Sequence, residues 1–121
     1  MKIDKDSVPI TIVQAVDCLV ASLTEDEVQS IKSDLNYSEC HHSAGRFIRN
    51  NWSLWEKDTP MVKDAIKTYG IAHADDISGL IFEWAFAKVR GVDFDPSLLV
   101  EKYREHWKEF GTTPLGAAGV E

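Results

Sequence analysis

Residues 73–91 have the sequence HADDISGLIFEWAFAKVRG, which predicts the central helix of the protein. Asp75 and Asp76 fall in its first turn, where carboxylates interact favourably with the positive end of a helix dipole. The body that follows is apolar on most sides, and such a helix is expected to lie in the middle of a bundle. Gly91 then ends the helix, because glycine readily adopts the left-handed conformation of a C-terminal cap.

Helical patterns continue on both sides of this stretch, and no alternating strand pattern accompanies them. Ser, Thr or Asp residues precede the helices and Gly residues follow several of them, as is typical of caps and breakers. The other five predicted helices begin near Thr11, Thr24, Ser38, Thr59 and Asp95, with the third covering residues 39–53, the fourth ending at Gly70 and the last at Gly111. We therefore predict an all-α fold, a compact single-domain bundle of about six short helices over residues 1–111.

Composition and charge narrow the class of protein further. The 121 residues fit one domain of ordinary size, and apolar residues make up 44% of them, which is enough for a core. Residues 112–121 are small and have little to bury, so they are predicted to form a flexible C-terminal tail.

The formal net charge of −7 argues against general binding to nucleic acid. No membrane span or signal peptide is recognisable, which predicts a cytoplasmic protein without membrane contact.

A second stretch, CHHSAGRFIRNNWSLW at residues 40–55, combines apolar anchors with many hydrogen-bonding side chains. Arg46 and Arg49 lie one turn apart on the predicted third helix, and two guanidinium groups so placed can hold a carboxylate or a phosphate. Asp75 and Asp76 are the internal partners that we expect for them, in ion pairs that would tie the third helix to the start of the fifth. A face that binds an anion or a partner is the first alternative, and a solvated face is the second.

Three more residues of this stretch each allow two interpretations. Gly45 within a helix indicates close approach of another backbone or of a ligand, or is merely tolerated there. Trp52 and Trp55 are three residues apart, so they lie along one side of the helix end. Core packing is our first interpretation for both, and a partner-binding anchor is the second, since Trp and Arg dominate interface hot spots.

The histidines of the stretch do not predict a metal site. His41 and His42 are adjacent and point about 100° apart on a helix, whereas helical zinc ligands are typically four residues apart. We predict structural histidines, no metal and no cofactor.

His42 with Asp75 or Asp76 could perform general acid–base catalysis. No nucleophile elbow, P-loop or dinucleotide motif accompanies them, so the sequence favours a non-enzymatic protein and leaves an enzyme as the alternative.

Segments 41–55 and 70–78 together resemble a family of short proteins from bacteria and their mobile elements. That family shows an H-x-x-G-x-x-I-R-N-x-W/F-x-L-W pattern followed by an H-P-D-D-M-S-like helix start, and the likeness extends over residues 8–90. This chain departs from it at Ala74, where proline is usual, and at Ile77, where methionine is common. The family has no known function, so the resemblance implies no activity. It implies that the following residues belong to one pattern: His41, Gly45, Arg46, Arg49, Asn50, Trp52, Trp55, His73, Asp75, Asp76 and Ser78. We hypothesise that the two segments meet in the fold, where Asn50 could bridge arginines and carboxylates.

We therefore predict a small acidic protein that binds another protein, as an inhibitor, immunity or regulatory factor. The predicted binding residues form a polar cluster of His41, His42, Arg46, Arg49, Asn50, Trp52, Trp55, His73, Asp75 and Asp76. A small enzyme or metal-dependent protein with its site at the same cluster is the alternative. A third hypothesis is a nucleic-acid mimic whose acidic helices imitate a phosphate array. The sequence leaves the oligomeric state open.

Overall fold

The computed structural model describes residues 8–33 and 45–119. Within these ranges it contains seven helices and no strand, which confirms the predicted all-α fold. The predicted start of the third helix, together with His41 and His42, lies outside the described residues. The helices are α1 (Ile12–Ser22), α2 (Glu25–Lys32), α3 (residues 45–51), α4 (Pro60–Asp64, continued by a π-helical turn at Ala65–Tyr69), α5 (Ala74–Arg90), α6 (Pro96–Lys108) and α7 (Pro114–Ala117).

Four helices begin at the caps that the sequence predicts. The side chains of Thr11, Thr24, Thr59 and Asp95 each accept a hydrogen bond from a backbone N–H in the first turn of the helix that follows. Thr24 also forms the reciprocal capping box with Glu27. Such caps stabilise a helix by about 1 kcal/mol each, which explains why local sequence locates these starts well.

One predicted helix end is displaced, that of α3. α3 ends at residue 51 because Ser53 adopts a left-handed conformation with φ of 55°, and the Leu54 N–H donates to the Arg49 carbonyl at 3.0 Å. This closure satisfies the last carbonyls of a helix in the way that a glycine cap does. The regular part of α6 ends at Lys108, and Gly111 closes the helix as predicted, with φ of 74° and with a hydrogen bond from the Thr112 N–H to the Trp107 carbonyl at 3.1 Å. The turn after α3 directs the following residues across the start of α5.

The predicted tail contains a helix that sequence analysis missed. The Thr113 hydroxyl accepts a hydrogen bond from the Gly116 N–H at 3.0 Å, and Pro114 opens α7 and is buried. α7 packs against α6. The expectation of little to bury was therefore wrong at Pro114, and Thr113-Pro114 repeats the cap-and-proline pattern of Thr59-Pro60. The flexibility of residues 112–121 stays a prediction.

α5 lies at the centre of the described fold, as predicted. Helices α1, α2 and α6 all pack against it, and its side chains Leu80, Phe82 and Phe86 are buried. Burial of each such side chain contributes about 1.5–3 kcal/mol, so the position of α5 is strongly determined. No helix within residues 8–33 and 45–119 has both the length and the apolar character needed to cross a membrane.

Candidate functional site

The first turn of α5 is the centre of the candidate site. His73 is its N-cap, and the His73 Nδ1 accepts a hydrogen bond from the Asp75 N–H at 3.1 Å. Since Nδ1 accepts, the ring carries its proton on Nε2, and the 3.8 Å contact from Nδ1 to the Asp75 carboxylate is not a charge pair in this tautomer. Asp75 is exposed, whereas the neighbouring Asp76 is only 5% exposed. Two adjacent carboxylates thus have opposite environments.

Arg49 joins α3 to this turn. Its Nη1 donates to the Ser78 hydroxyl at 3.1 Å, and its Nε lies 3.6 Å from a carboxylate oxygen of Asp75. The buried Ser78 hydroxyl in turn donates to the Asp75 carbonyl at 3.1 Å. The Arg49 side chain is 19% exposed, which makes it a structural link and leaves little of it for an external ligand. The predicted meeting of the two segments is confirmed for Arg49.

Gly45 makes room for this arginine. A Cβ atom at Gly45 would lie 2.9 Å from the Arg49 Nη1, closer than real contacts allow. The guanidinium therefore lies over the backbone of its own helix, one turn away. The sequence analysis expected another backbone or a ligand near Gly45, whereas the approaching group is the Arg49 side chain of the same helix.

Arg46 and Asn50 do not reach the carboxylates. Both are exposed, and neither makes an ion pair or side-chain hydrogen bond with Asp75 or Asp76 in the described part of the chain. The structure thus separates the two arginines, with Arg49 held inward and Arg46 directed to solvent. His41 and His42 lie outside the described residues, so their part in the predicted cluster stays a prediction.

The two tryptophans of the stretch separate as well. Trp52 is buried in the core, and its indole N–H has no acceptor among the described residues. Trp55 follows the left-handed turn at Ser53 and is 57% exposed, with its ring 5.9 Å from that of His73. Core packing therefore applies to Trp52, whereas Trp55 belongs to the surface.

The last turns of α6 contribute residues that sequence analysis did not join to the cluster. The Trp107 indole N–H donates to the Asp76 Oδ2 at 2.8 Å. Burial raises the pKa of Asp76 above its ordinary value, and this hydrogen bond opposes the rise by favouring the ionised form. In the sequence, Trp107 shares one face of this helix with Leu99, Tyr103 and Phe110, which predicts core packing. No local signal pairs it with Asp76, because the two residues lie on different helices.

Five rings form a continuous surface, which we call the aromatic ridge: Trp55, His73, His106, Trp107 and Phe110. Successive ring centroids are 5.9 Å (Trp55–His73), 5.5 Å (His73–Trp107), 4.9 Å (Trp107–His106) and 5.3 Å (His106–Phe110) apart. Trp55 and Phe110 are 57% and 68% exposed, and Trp107 between them is fixed by Asp76. His106 is exposed as well, whereas His73 and Trp107 are partly buried.

Two open depressions border the ridge. The smaller, of about 210 Å³, is lined by Leu54, Trp55, Lys57, Ala72, His73, Ala74, Ala117 and Ala118. The larger, which we call the α5–α6 groove, has a volume of about 450 Å³ and is lined by Asp75, Asp76, Gly79, Glu83, Leu99, Tyr103 and His106. A further cavity of about 530 Å³ between α6 and α7 is lined by none of the predicted site residues.

The described residues offer no cluster of metal ligands. Within residues 8–33 and 45–119, no three His, Cys, Asp or Glu side chains converge in the way that a bound metal ion requires. The His73 Nδ1 and one oxygen of Asp76 are already engaged in hydrogen bonds inside the protein.

The chain belongs to a family described as a domain of unknown function (DUF6794), whose model matches residues 8–88. The resemblance noted in the sequence is thereby confirmed at the level of a family without an assigned activity. The match includes Arg49, Trp55, His73 and both carboxylates. His106 and Trp107 of α6 and the following Phe110 lie after the matched residues. No curated protein and no solved structure matches the chain.

Proposed function

We propose that this protein acts in the cytoplasm by binding another protein, as a small regulatory, inhibitor or immunity-like factor, and that the aromatic ridge is its binding surface. The single observation that carries the proposal is the exposure of Trp55 and Phe110 at the two ends of a continuous set of rings.

The chemistry of the ridge suits protein recognition. Interface hot spots are enriched in Trp, and they consist of rigid side chains that lose little conformational entropy on binding. Trp107 is held by its hydrogen bond to Asp76, and His73 is held by the Asp75 N–H. The ridge is thus organised before any partner arrives.

The polar cluster has a supporting role in this proposal. Arg49 and Ser78 hold α3 against the first turn of α5, and that turn carries His73 and Asp76. The internal ion pair predicted from the sequence therefore positions the ridge. It does not itself contact the partner.

The test is a comparison of captured partners. Tagged wild-type protein, Trp55→Ala and Phe110→Ala are used to capture proteins from a lysate of the native host. Leu98→Ala is the matched control, because Leu98 is equally exposed but lies outside the ridge. Truncation of a hot-spot residue costs about 2 kcal/mol or more, roughly thirtyfold in Kd, so a ridge-dependent partner should be lost from both ridge variants.

The two ridge variants should remain folded, because both side chains are largely exposed. Thermal unfolding monitored by circular dichroism checks this. A partner retained by wild type and Leu98→Ala, and lost from both ridge variants, supports the proposal. The same set of captured proteins in all four samples would overturn it.

A further inference from the structure

The α5–α6 groove is continuous with the aromatic ridge. His106 belongs to both, and the two aspartates that line the groove are hydrogen-bonded to ridge residues. Asp75 binds the ring nitrogen of His73 through its backbone N–H, and Asp76 binds the indole of Trp107. A partner that covers the ridge would therefore also cover the mouth of this groove.

The lining of the groove has one sign of charge along an apolar floor. Asp75, Asp76 and Glu83 contribute carboxyl groups, and no lysine or arginine of the described residues lines it. The nearest cation of known position is Arg49 of α3, whose Nε lies 3.6 Å from the Asp75 carboxylate. Leu99 and the ring of Tyr103 supply apolar surface between them. A long side chain with a methylene stem and a cationic head matches both features, since such side chains pack their stems on apolar surface and keep the charge at the end.

We propose that the α5–α6 groove receives a lysine or arginine side chain of the partner protein. This inference rests on the proposed function, because the partner is the protein that binds the ridge. Arginine fits the lining better than lysine, since a guanidinium can stack on the rings of Tyr103 or His106 while it pairs with a carboxylate. The net charge of −7 favours a basic partner and opposes a second copy of this chain.

The environment of Asp76 favours a cation in the same place. Its burial raises the pKa, and the hydrogen bond from Trp107 and the nearby imidazoles of His73 and His106 offset this rise only in part. A guanidinium that enters the groove would add to this compensation. Binding of a cation should therefore strengthen as the pH rises and Asp76 ionises.

A titration with a small probe tests the groove without a known partner. The ¹⁵N-labelled full chain is titrated with N-acetyl-arginine amide, and separately with N-acetyl-citrulline amide, which has nearly the same shape but no charge. We expect the amide signals of Gly79, Glu83 and Tyr103 to move with the arginine probe and not with the citrulline probe. Glu83→Gln and Asp75→Asn should each weaken binding by about two- to fivefold, the range of partly exposed ion pairs.

Asp93→Asn is the matched control, because it removes the same charge from an exposed residue that does not line the groove. It should leave the affinity for the arginine probe unchanged. Equal shifts with both probes, no shift at the groove residues, or equal weakening by all three variants would overturn the inference. The result is independent of the capture experiment, in which a partner lost from Trp55→Ala and Phe110→Ala would uphold the ridge even if the groove binds no cation.

Discussion

The indole N–H of Trp107 donates to the carboxylate of Asp76 at 2.8 Å and thereby joins the last turns of α6 to the first turn of α5. The bond is formed by a carboxyl group that is only 5% exposed. Burial raises the pKa of Asp76 from its ordinary value of 3.8, although the hydrogen bond from Trp107 works in the other direction. The contact that holds the ridge together is therefore also sensitive to pH.

Asp76→Asn should separate the hydrogen bond from the charge, because the amide oxygen can still accept from Trp107. A group whose pKa is raised on folding contributes stability that is fully present below the unfolded pKa and is lost as the pH rises through the folded pKa. The asparagine variant has no such loss. We therefore compare the free energy of unfolding of the variant with that of wild type at each pH. The difference in favour of the variant should grow as the pH rises from 3.8 through the raised pKa of Asp76 and towards neutrality.

Urea unfolding of both proteins at several pH values across this window measures the effect. Asp75→Asn serves as the control, because Asp75 is exposed and lies in the same turn. A difference between Asp76→Asn and wild type that is constant with pH would contradict the role given to burial.

Gly79→Ala should destabilise the protein through one contact. A Cβ at this position would lie 2.5 Å from the Tyr103 hydroxyl oxygen and 3.6 Å from the ring carbon that carries it. Overpacking of this kind costs about 1–3 kcal/mol, partly offset by about 1 kcal/mol from the better helix propensity of alanine. Tyr103→Phe removes the oxygen atom, so the same glycine substitution made in that background should be neutral or stabilising.

Denaturant unfolding of the two single variants and the double variant gives the coupling between the sites. A sizeable coupling energy between Gly79→Ala and Tyr103→Phe is expected, because only the Tyr103 hydroxyl oxygen would clash with the added Cβ. Equal destabilisation by Gly79→Ala in both backgrounds would show that the clash lies elsewhere.

Arg49→Ala and Arg46→Ala form a matched pair on one helix. Arg49 bonds the buried Ser78 hydroxyl and pairs with Asp75, so its loss should reduce the free energy of unfolding by about 1–3 kcal/mol. Arg46 is exposed, and its removal should change stability by no more than about 0.5 kcal/mol. Thermal and urea unfolding of both variants measure the difference. Equal effects would mean that the contacts of Arg49 do not tie α3 to α5.

The parts of the fold that local sequence predicted well are the helix starts and the central helix. Thr11, Thr24 and Thr59 bond to backbone groups within the next few residues, so their effect can be recognised without knowledge of the fold. The central position of α5 was predictable because a helix that is apolar on most sides has to be surrounded by other helices. α7 was missed because a four-residue helix has no periodic pattern, even though Thr113-Pro114 is a typical helix start, with a capping residue followed by proline.

The candidate site was predicted only in part because its contacts are not local. The segments around Arg49 and Asp75 could be paired from their charges. Trp107, His106 and Phe110 could not be joined to them, since aromatic residues on an amphipathic stripe predict packing and give no partner. The exposure of Trp55 depends on the left-handed turn at Ser53, where a serine adopts a conformation more typical of glycine.

The π-helical turn at Ala65–Tyr69 limits how far the helix that begins at Pro60 can be shortened. Its wider hydrogen-bonded ring accommodates one more residue than an α-helical turn, and it brings Tyr69 to within 6.3 Å of Trp84, measured between ring centroids. Deleting a single residue from this turn would restore ordinary winding and rotate everything on one side of the deletion by about 100°. The tyrosine would then leave its indole neighbour, so the helix could be shortened here only at the expense of that aromatic contact.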